Sequence, residues 1–203
     1  MRLIIVRHAE STGNAKRLNQ GHLNFRLTKK GRKQAKLVAK RLRCIRIDAG
    51  YSSDSSRCSG TAKEILKFHP KIKLVLAKDL RERGKGIFEG KHHSVMEIFL
   101  KESRLSYKTF KPEGGGESYF DVKKRVVSFF KKVYKKHKND NVMFVSHGAV
   151  MSYLMIYLLK KPYNKRHEYL QDTNTAITIL KINSGKAKIE LFKCAKHLKE
   201  NKK

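Results

Sequence analysis

Leu3-Ile4-Ile5-Val6 is a short run of apolar, mostly β-branched residues that turns polar at once, the pattern of a strand buried on both faces. The same succession recurs twice. Ile47 to Tyr51 leads into Ser52-Ser53-Asp54-Ser55-Ser56-Arg57, and Val142-Met143-Phe144-Val145-Ser146 leads into His147-Gly148. Between and after these strands the apolar positions switch to helical spacing. Leu27, Gly31, Ala35, Val38, Ala39 and Leu42 form a stripe behind Thr28, a fitting N-cap, and Cys58, Ala62, Ile65 and Leu66 share a face behind Arg57. Val122, Val126, Phe129, Phe130 and Val133 follow Ser118 and Asp121, which are spaced for a capping box. Ala149 to Leu159 is almost wholly apolar, as a buried helix would be. A further strand is expected after Lys71, and Thr175 to Ile182 with Lys188 to Cys194 read as a hairpin around Asn183-Ser184-Gly185. Strands alternating with helices predict an α/β fold, a three-layer α/β/α sandwich with a mainly parallel central sheet.

In open α/β sheets ligands bind beyond the carboxyl ends of the strands. Arg7 and His8 end the first strand, Arg57 follows the second, and His147-Gly148 follows the strand at 142–146. Two arginines and two histidines are therefore expected at one sheet edge. Each has a plainer use taken alone: His8 as a satisfied histidine at a strand end, the arginines as surface cations, His147-Gly148 as strand-to-helix punctuation. The order of the surrounding blocks decides between these uses. Arg7-His8-Ala9-Glu10-Ser11-Thr12-Gly13-Asn14, Ser52-Ser53-Asp54 with Arg57 and Thr61-Ala62, Leu80-Arg81-Glu82 through Phe88-Glu89-Gly90, Gly115-Gly116-Glu117-Ser118, and Ser146-His147-Gly148 resemble the histidine phosphatase superfamily, in that family's order, from about Leu3 to Thr175. Leu80 to Lys91 looks most like the branch containing fructose-2,6-bisphosphatase-type and broad-specificity phosphatases.

The resemblance implies a phosphoglycerate mutase-like fold and a metal-independent phosphomonoesterase that acts through a phosphohistidine on small phosphorylated metabolites, such as sugar phosphates or bisphosphates. It makes His8 the nucleophile, Glu82 the proton donor, and Arg7, Arg57 and His147 the clamp on the transferring group. Ser11, Asn14, Gln20, Gly21 and Gly148 are implied substrate contacts, and no cofactor is expected. The residue chemistry is suited to this. A phosphate monoester carries about two negative charges near neutral pH. Guanidinium forks bind it in a bidentate way without losing their own charge. Glu89 is a rival acid near Glu82. Ala9 stands where many members have glycine and Cys58 where alanine is common; both are small, and the pocket is expected to survive them. Between Glu82 and Gly148 the chain is shorter than in cofactor-dependent phosphoglycerate mutases, which favours hydrolysis over mutase turnover. Mutase activity and protein phosphohistidine phosphatase activity are the alternatives within the family.

The chain of 203 residues, 39% hydrophobic, suffices for one core and leaves little for a second, so a single domain over 1–203 is expected. Residues 91–117, with Pro112 and three glycines, read as an insertion over the pocket, and the Lys-rich tail at 196–203 as frayed. The formal net charge of +31 either steers anionic substrates or reflects a general lysine bias. Lys101, Arg104, Lys108 and Lys111 in the insertion are candidates for holding a second phosphate. A basic nucleic-acid-binding protein is the alternative of another class. Its charge would be clustered and interleaved with aromatic residues, whereas here it is scattered through every segment, so no specific nucleic acid partner is expected. Cys44, Cys58 and Cys194 are widely spaced and odd in number, fitting neither a disulfide framework nor a zinc site; His92 and His93 are adjacent and make a poor metal pair, so no metal is expected. Met1 to Val6 is too short for a signal peptide and Ala149 to Leu159 too short to span a bilayer, which points to a soluble, cytoplasmic protein without a membrane partner. The oligomeric state is left open.

Overall fold

The computed structural model describes residues 1–199. Along the chain run β1 (Arg2–Arg7), α1 (Thr12–Ala15), α2 (Lys29–Leu42), β2 (Ala49–Ser52), α3 (Ser56–Leu66) and β3 (Leu74–Leu76). They are followed by α4 (His93–Glu102), α5 (Tyr119–Lys136), β4 (Asn141–Ser146), α6 (Gly148–Leu158), β5 (Ile177–Asn183) and β6 (Lys186–Cys194). The strands form one six-stranded sheet in the order β3-β2-β4-β1-β5-β6. The first four of these are mutually parallel, whereas β5 runs antiparallel to β1, and β6 antiparallel to β5. Ser184 and Gly185, with φ of 46° and 75°, make the two-residue turn of the closing hairpin, the left-handed geometry that a tight hairpin requires. The second strand starts at Ala49 rather than at Ile47, which is buried in the preceding loop.

Alternation along the central strands sorts the side chains into two cores. Leu3 and Ile5 of β1 and Val142 and Phe144 of β4 pack with Val126 and Phe130 of α5 and Met151 and Leu154 of α6. Ile4, Val6, Met143 and Val145 point the other way, onto Val38 and Leu42 of α2 and Ala62 and Ile65 of α3. Each such fully buried aliphatic side chain contributes roughly 1.5–3 kcal/mol. The helices begin at the caps expected of them. Thr28 Oγ1 accepts from Gly31 N–H at 2.9 Å, and Ser118 and Asp121 close a capping box at the start of α5. Gly31 is required there, because a Cβ would lie 1.9 Å from the Glu10 carbonyl oxygen.

Segment 91–117 carries α4 and then turns back to α5. It is fastened by Arg83, whose fully buried guanidinium donates to the carbonyls of Tyr107, Phe110 and Glu117 at 3.1, 2.7 and 2.6 Å and lies over the Tyr107 ring. The chain beyond Lys196 departs from the frayed tail expected of it. Lys196–Leu198 forms a 3₁₀ turn, and His197 is buried with Nε2 3.0 Å from Thr175 Oγ1, a long-range contact that outweighs the local charge. The last four residues of that tail lie outside the described residues. Among the described residues no helix is long and apolar enough to cross a membrane.

Candidate active site

The parallel register sets the site. Arg7 pairs with Ser146 and Ser52 with Val145, so His8, Ser53 and His147 leave three neighbouring strands at the same edge. His8 is 3% exposed, its N–H donates to Ser146 O at 3.0 Å, and its ring meets that of His147 edge-on, with centroids 5.1 Å apart. His8 Nδ1 lies 2.8 Å from Ala9 O. A carbonyl oxygen only accepts, so Nδ1 carries the proton and Nε2 keeps its lone pair. Burial, and then the charges of Arg57 and Arg7, push the His8 pKa well below the ordinary histidine value. His8 is thus neutral at neutral pH, with a nucleophilic nitrogen between two cations.

Those cations are short of partners. Arg57, fully buried at the start of α3, donates from Nη1 to Leu23 O at 2.8 Å and from Nη2 to Gly21 O at 3.0 Å. Arg7 donates from Nη1 to the Asp172 carbonyl. The Nε atoms of both are buried and without a hydrogen-bond partner. Burial lowers the pKa of each from its usual value, but a guanidinium stays charged. Neither forms an ion pair among the described residues. A fully buried Arg57 and a half-buried Arg7, each with a buried Nε donor left without a partner, call for an anion.

His147 is fixed from the side: Ser53 Oγ lies 3.0 Å and Cys58 Sγ 3.4 Å from its Nε2. Burial, with Arg57 and His8 behind it, also lowers the His147 pKa well below the usual value, and burial pushes the Cys58 thiol up to about 12. Cys58 therefore packs as a thiol in the place of a small apolar residue. The carboxyl of Glu82 accepts from Arg83 N–H at 2.9 Å. Its basic neighbours are engaged elsewhere: Arg81 with Asp54 at 2.5 Å, Arg83 with main-chain carbonyls, Lys85 with the Tyr107 hydroxyl at 2.8 Å. Glu82 lines both a small cavity of about 100 Å³ beside His147 and a larger one of about 660 Å³ beside Arg7. Glu89, by contrast, accepts from the backbone N–H groups of His22 and Lys85 at 2.9 Å each, and its carboxylate fills the space beneath Gly21.

Of the implied substrate contacts, Asn14 and Gly148 line the larger cavity and Gly21 the smaller. Gly21 has φ of +45°, and a Cβ there would lie 2.0 Å from Glu89 Oε1. Ser11 and Gln20 line neither cavity. The Ser11 hydroxyl caps α1 and contacts Gln20 Oε1 at 2.7 Å, which ties the loop together. None of Lys101, Arg104, Lys108 and Lys111 lines either cavity; Lys108 lies over the Phe120 and Tyr163 rings, and Lys111 is 3.6 Å from Asp121. Residues that sequence reasoning left out are Ser53 beside His147, Asn174, whose Nδ2 donates to His8 O at 2.8 Å, and Arg17 and His93 on the wall of the larger cavity. Ser53 lies within the serine cluster after β2 and was open to inference. Asn174 lies 166 residues from His8 in the chain and had no local signal. Among the described residues no cluster of three or more His, Cys, Asp or Glu side chains has a metal-holding arrangement.

A buried, neutral histidine between two arginines at the carboxyl edge of this sheet is matched by family-level similarity. Residues 3–195 match the histidine phosphatase superfamily (branch 1), and the chain belongs to that family. It is 31% identical over 204 residues to phosphoglycerate mutase-like protein 4 of Arabidopsis thaliana, covering 98% of this chain and 87% of that protein. It is also 31% identical over 205 residues to a metal-independent phosphoserine phosphatase of the same plant, covering 97% and 82%. Among solved structures, YhfR of Bacillus stearothermophilus superposes with a TM-score of 0.87 at 26% identity, over 97% of this chain and 98% of that one.

Proposed function

We propose that the chain is a metal-independent phosphomonoesterase acting on small phosphorylated metabolites through a phosphohistidine on His8. The observation that carries this is the neutral His8 with Nε2 free, flanked by the fully buried Arg57 and the half-buried Arg7, whose buried Nε donors are unpartnered. The similarity to a metal-independent phosphoserine phosphatase supports the reaction class. The phosphoryl group sits among Arg7, Arg57 and His147, with Asn14 and the α6 amino-terminus at Gly148 as neutral donors. His8 Nε2 gives its lone pair to phosphorus as the bond to the ester oxygen breaks, and Glu82 supplies the proton that the departing alkoxide needs. Water then attacks the phosphohistidine and passes its proton to the Glu82 carboxylate as the P–N bond breaks. Phosphate leaves, and both side chains return to their starting forms.

The test is phosphate release from phosphoserine, phosphoglycerates, sugar bisphosphates and an aryl phosphate, with chelator present, by wild type and His8→Ala. Chelator-resistant turnover that falls by roughly 10³-fold or more in the variant is expected. Turnover that survives in His8→Ala, or that chelator abolishes, would overturn the reading.

A further inference from the structure

The larger cavity extends from Arg7 and Glu82 to a second basic wall made by Arg17 and His93. Arg17 stands where a side chain is costly. Its N–H donates to Asn14 O and the next N–H, of Leu18, to Gly13 O, so the short helix α1 ends in the paired bonds of a Schellman motif, with Arg17 at the left-handed position. Its φ is 53°, a conformation that favours glycine. A strained backbone that keeps a long cationic side chain on a cavity wall suggests that the side chain is used.

His93 fixes that side chain. Its N–H donates to Arg17 O at 3.0 Å, and its Nδ1 lies 3.2 Å from the same oxygen, so Nδ1 is the protonated nitrogen. Nε2 is left as an acceptor, 3.5 Å from Arg17 Nη2. The two segments are further joined by Asn19 N–H to Lys91 O and Gly90 N–H to Asn19 O, both at 2.8 Å. Arg17 forms no ion pair among the described residues, although Glu82 and Asp172 line the same cavity. Arg17 thus lines a space that adjoins both Glu82 and the Arg7 end of the clamp.

We propose that Arg17, with His93 as its positioning residue, receives a second anionic group of the substrate, a carboxylate or a second phosphate, on the leaving-group side. This rests on the phosphatase reading and relocates the second anion from the insertion's basic residues, which line neither cavity, to the junction of the α1 loop with α4.

The experiment compares kcat/KM within two matched pairs, phosphoserine against phosphoethanolamine and fructose 1,6-bisphosphate against fructose 6-phosphate, for wild type, Arg17→Gly and Arg17→Lys. Glycine suits the left-handed position, so Arg17→Gly is expected to melt at or above the wild-type temperature. Its ratio of doubly to singly anionic substrate is expected to fall at least about tenfold in one pair, through KM rather than kcat, with Arg17→Lys falling less. A fall in the phosphoserine pair identifies a carboxylate, and one in the fructose pair a second phosphate. An active wild type whose ratios are unmoved in Arg17→Gly overturns this inference alone. A wild type inactive on all four substrates overturns the phosphatase reading, and this inference with it.

Discussion

A histidine that attacks phosphorus must keep a lone pair, and His8 keeps it by two means: the Ala9 carbonyl holds the proton on Nδ1, while burial and the neighbouring arginines oppose a second proton. In the proposed mechanism, the arginines that would bind substrate charge also ready the nucleophile. Under the proposed mechanism Glu82 has the complementary task; among the described residues its carboxyl forms no ion pair, although its charge acts on both Arg7 and Arg57. Glu82→Gln is expected to lower kcat/KM, which reports events up to departure of the leaving group, by roughly 10²–10⁴-fold for alkyl phosphates. An aryl phosphate, whose leaving group needs little protonation, should lose far less. Equal losses on both, measured by steady-state kinetics, would remove Glu82 from the acid role. At this scale the ordered motifs pointed to His8, Arg7, Arg57, Glu82 and His147, and the structure places Glu82 beside His147 on one cavity wall and beside Arg7 on the other. They did not reveal that the Ser11 hydroxyl contacts Asn14 and Gln20 Oε1 within the loop, because a hydroxyl and an amide there carry the same sequence signal whether they face ligand or loop.

Elements were legible where two local signals coincided. Helix α2 has both its stripe and its Thr28 cap, α5 its stripe and capping box, and the β5–β6 hairpin its alternation and a turn of two left-handed residues. Segment 91–117 resisted because what fastens it is non-local. Arg83 reads in sequence as one more solvated cation beside Arg81 and Lys85, yet it is fully buried and bonded to three carbonyls between 24 and 34 residues away. The turn at Lys196–Leu198 was missed for the same reason, since its anchor is the distant Thr175. The α1 loop shows the opposite case: its Schellman ending is local, but the arginine at the position that glycine favours gives no sign of it.

Over the whole molecule, a net charge of +31 is combined with a site that buries two neutral histidines and Arg57 and half-buries Arg7. Self-repulsion and desolvation both weigh against the folded state. His8 and His147 have folded-state pKa values below the unfolded value of about 6.5. Their neutral burial is therefore without penalty above that pH, and stability is lost as pH falls below it, because the unfolded chain takes up protons that the folded site refuses. The melting temperature is expected to fall between about pH 7 and pH 5, and to fall less steeply in a variant carrying His8→Gln and His147→Gln. Parallel pH profiles for the two proteins, measured calorimetrically, would contradict this.

The central claim is covalent, and the most direct measurement is to quench the enzyme in alkali during turnover of a radiolabelled phosphomonoester and map the label by peptide. An alkali-stable, acid-labile phosphoryl group on the peptide containing His8 is predicted, more abundant in Glu82→Gln, where its hydrolysis is slowed, and absent from His8→Ala. Turnover without any such intermediate, or label that persists in His8→Ala, would contradict the account.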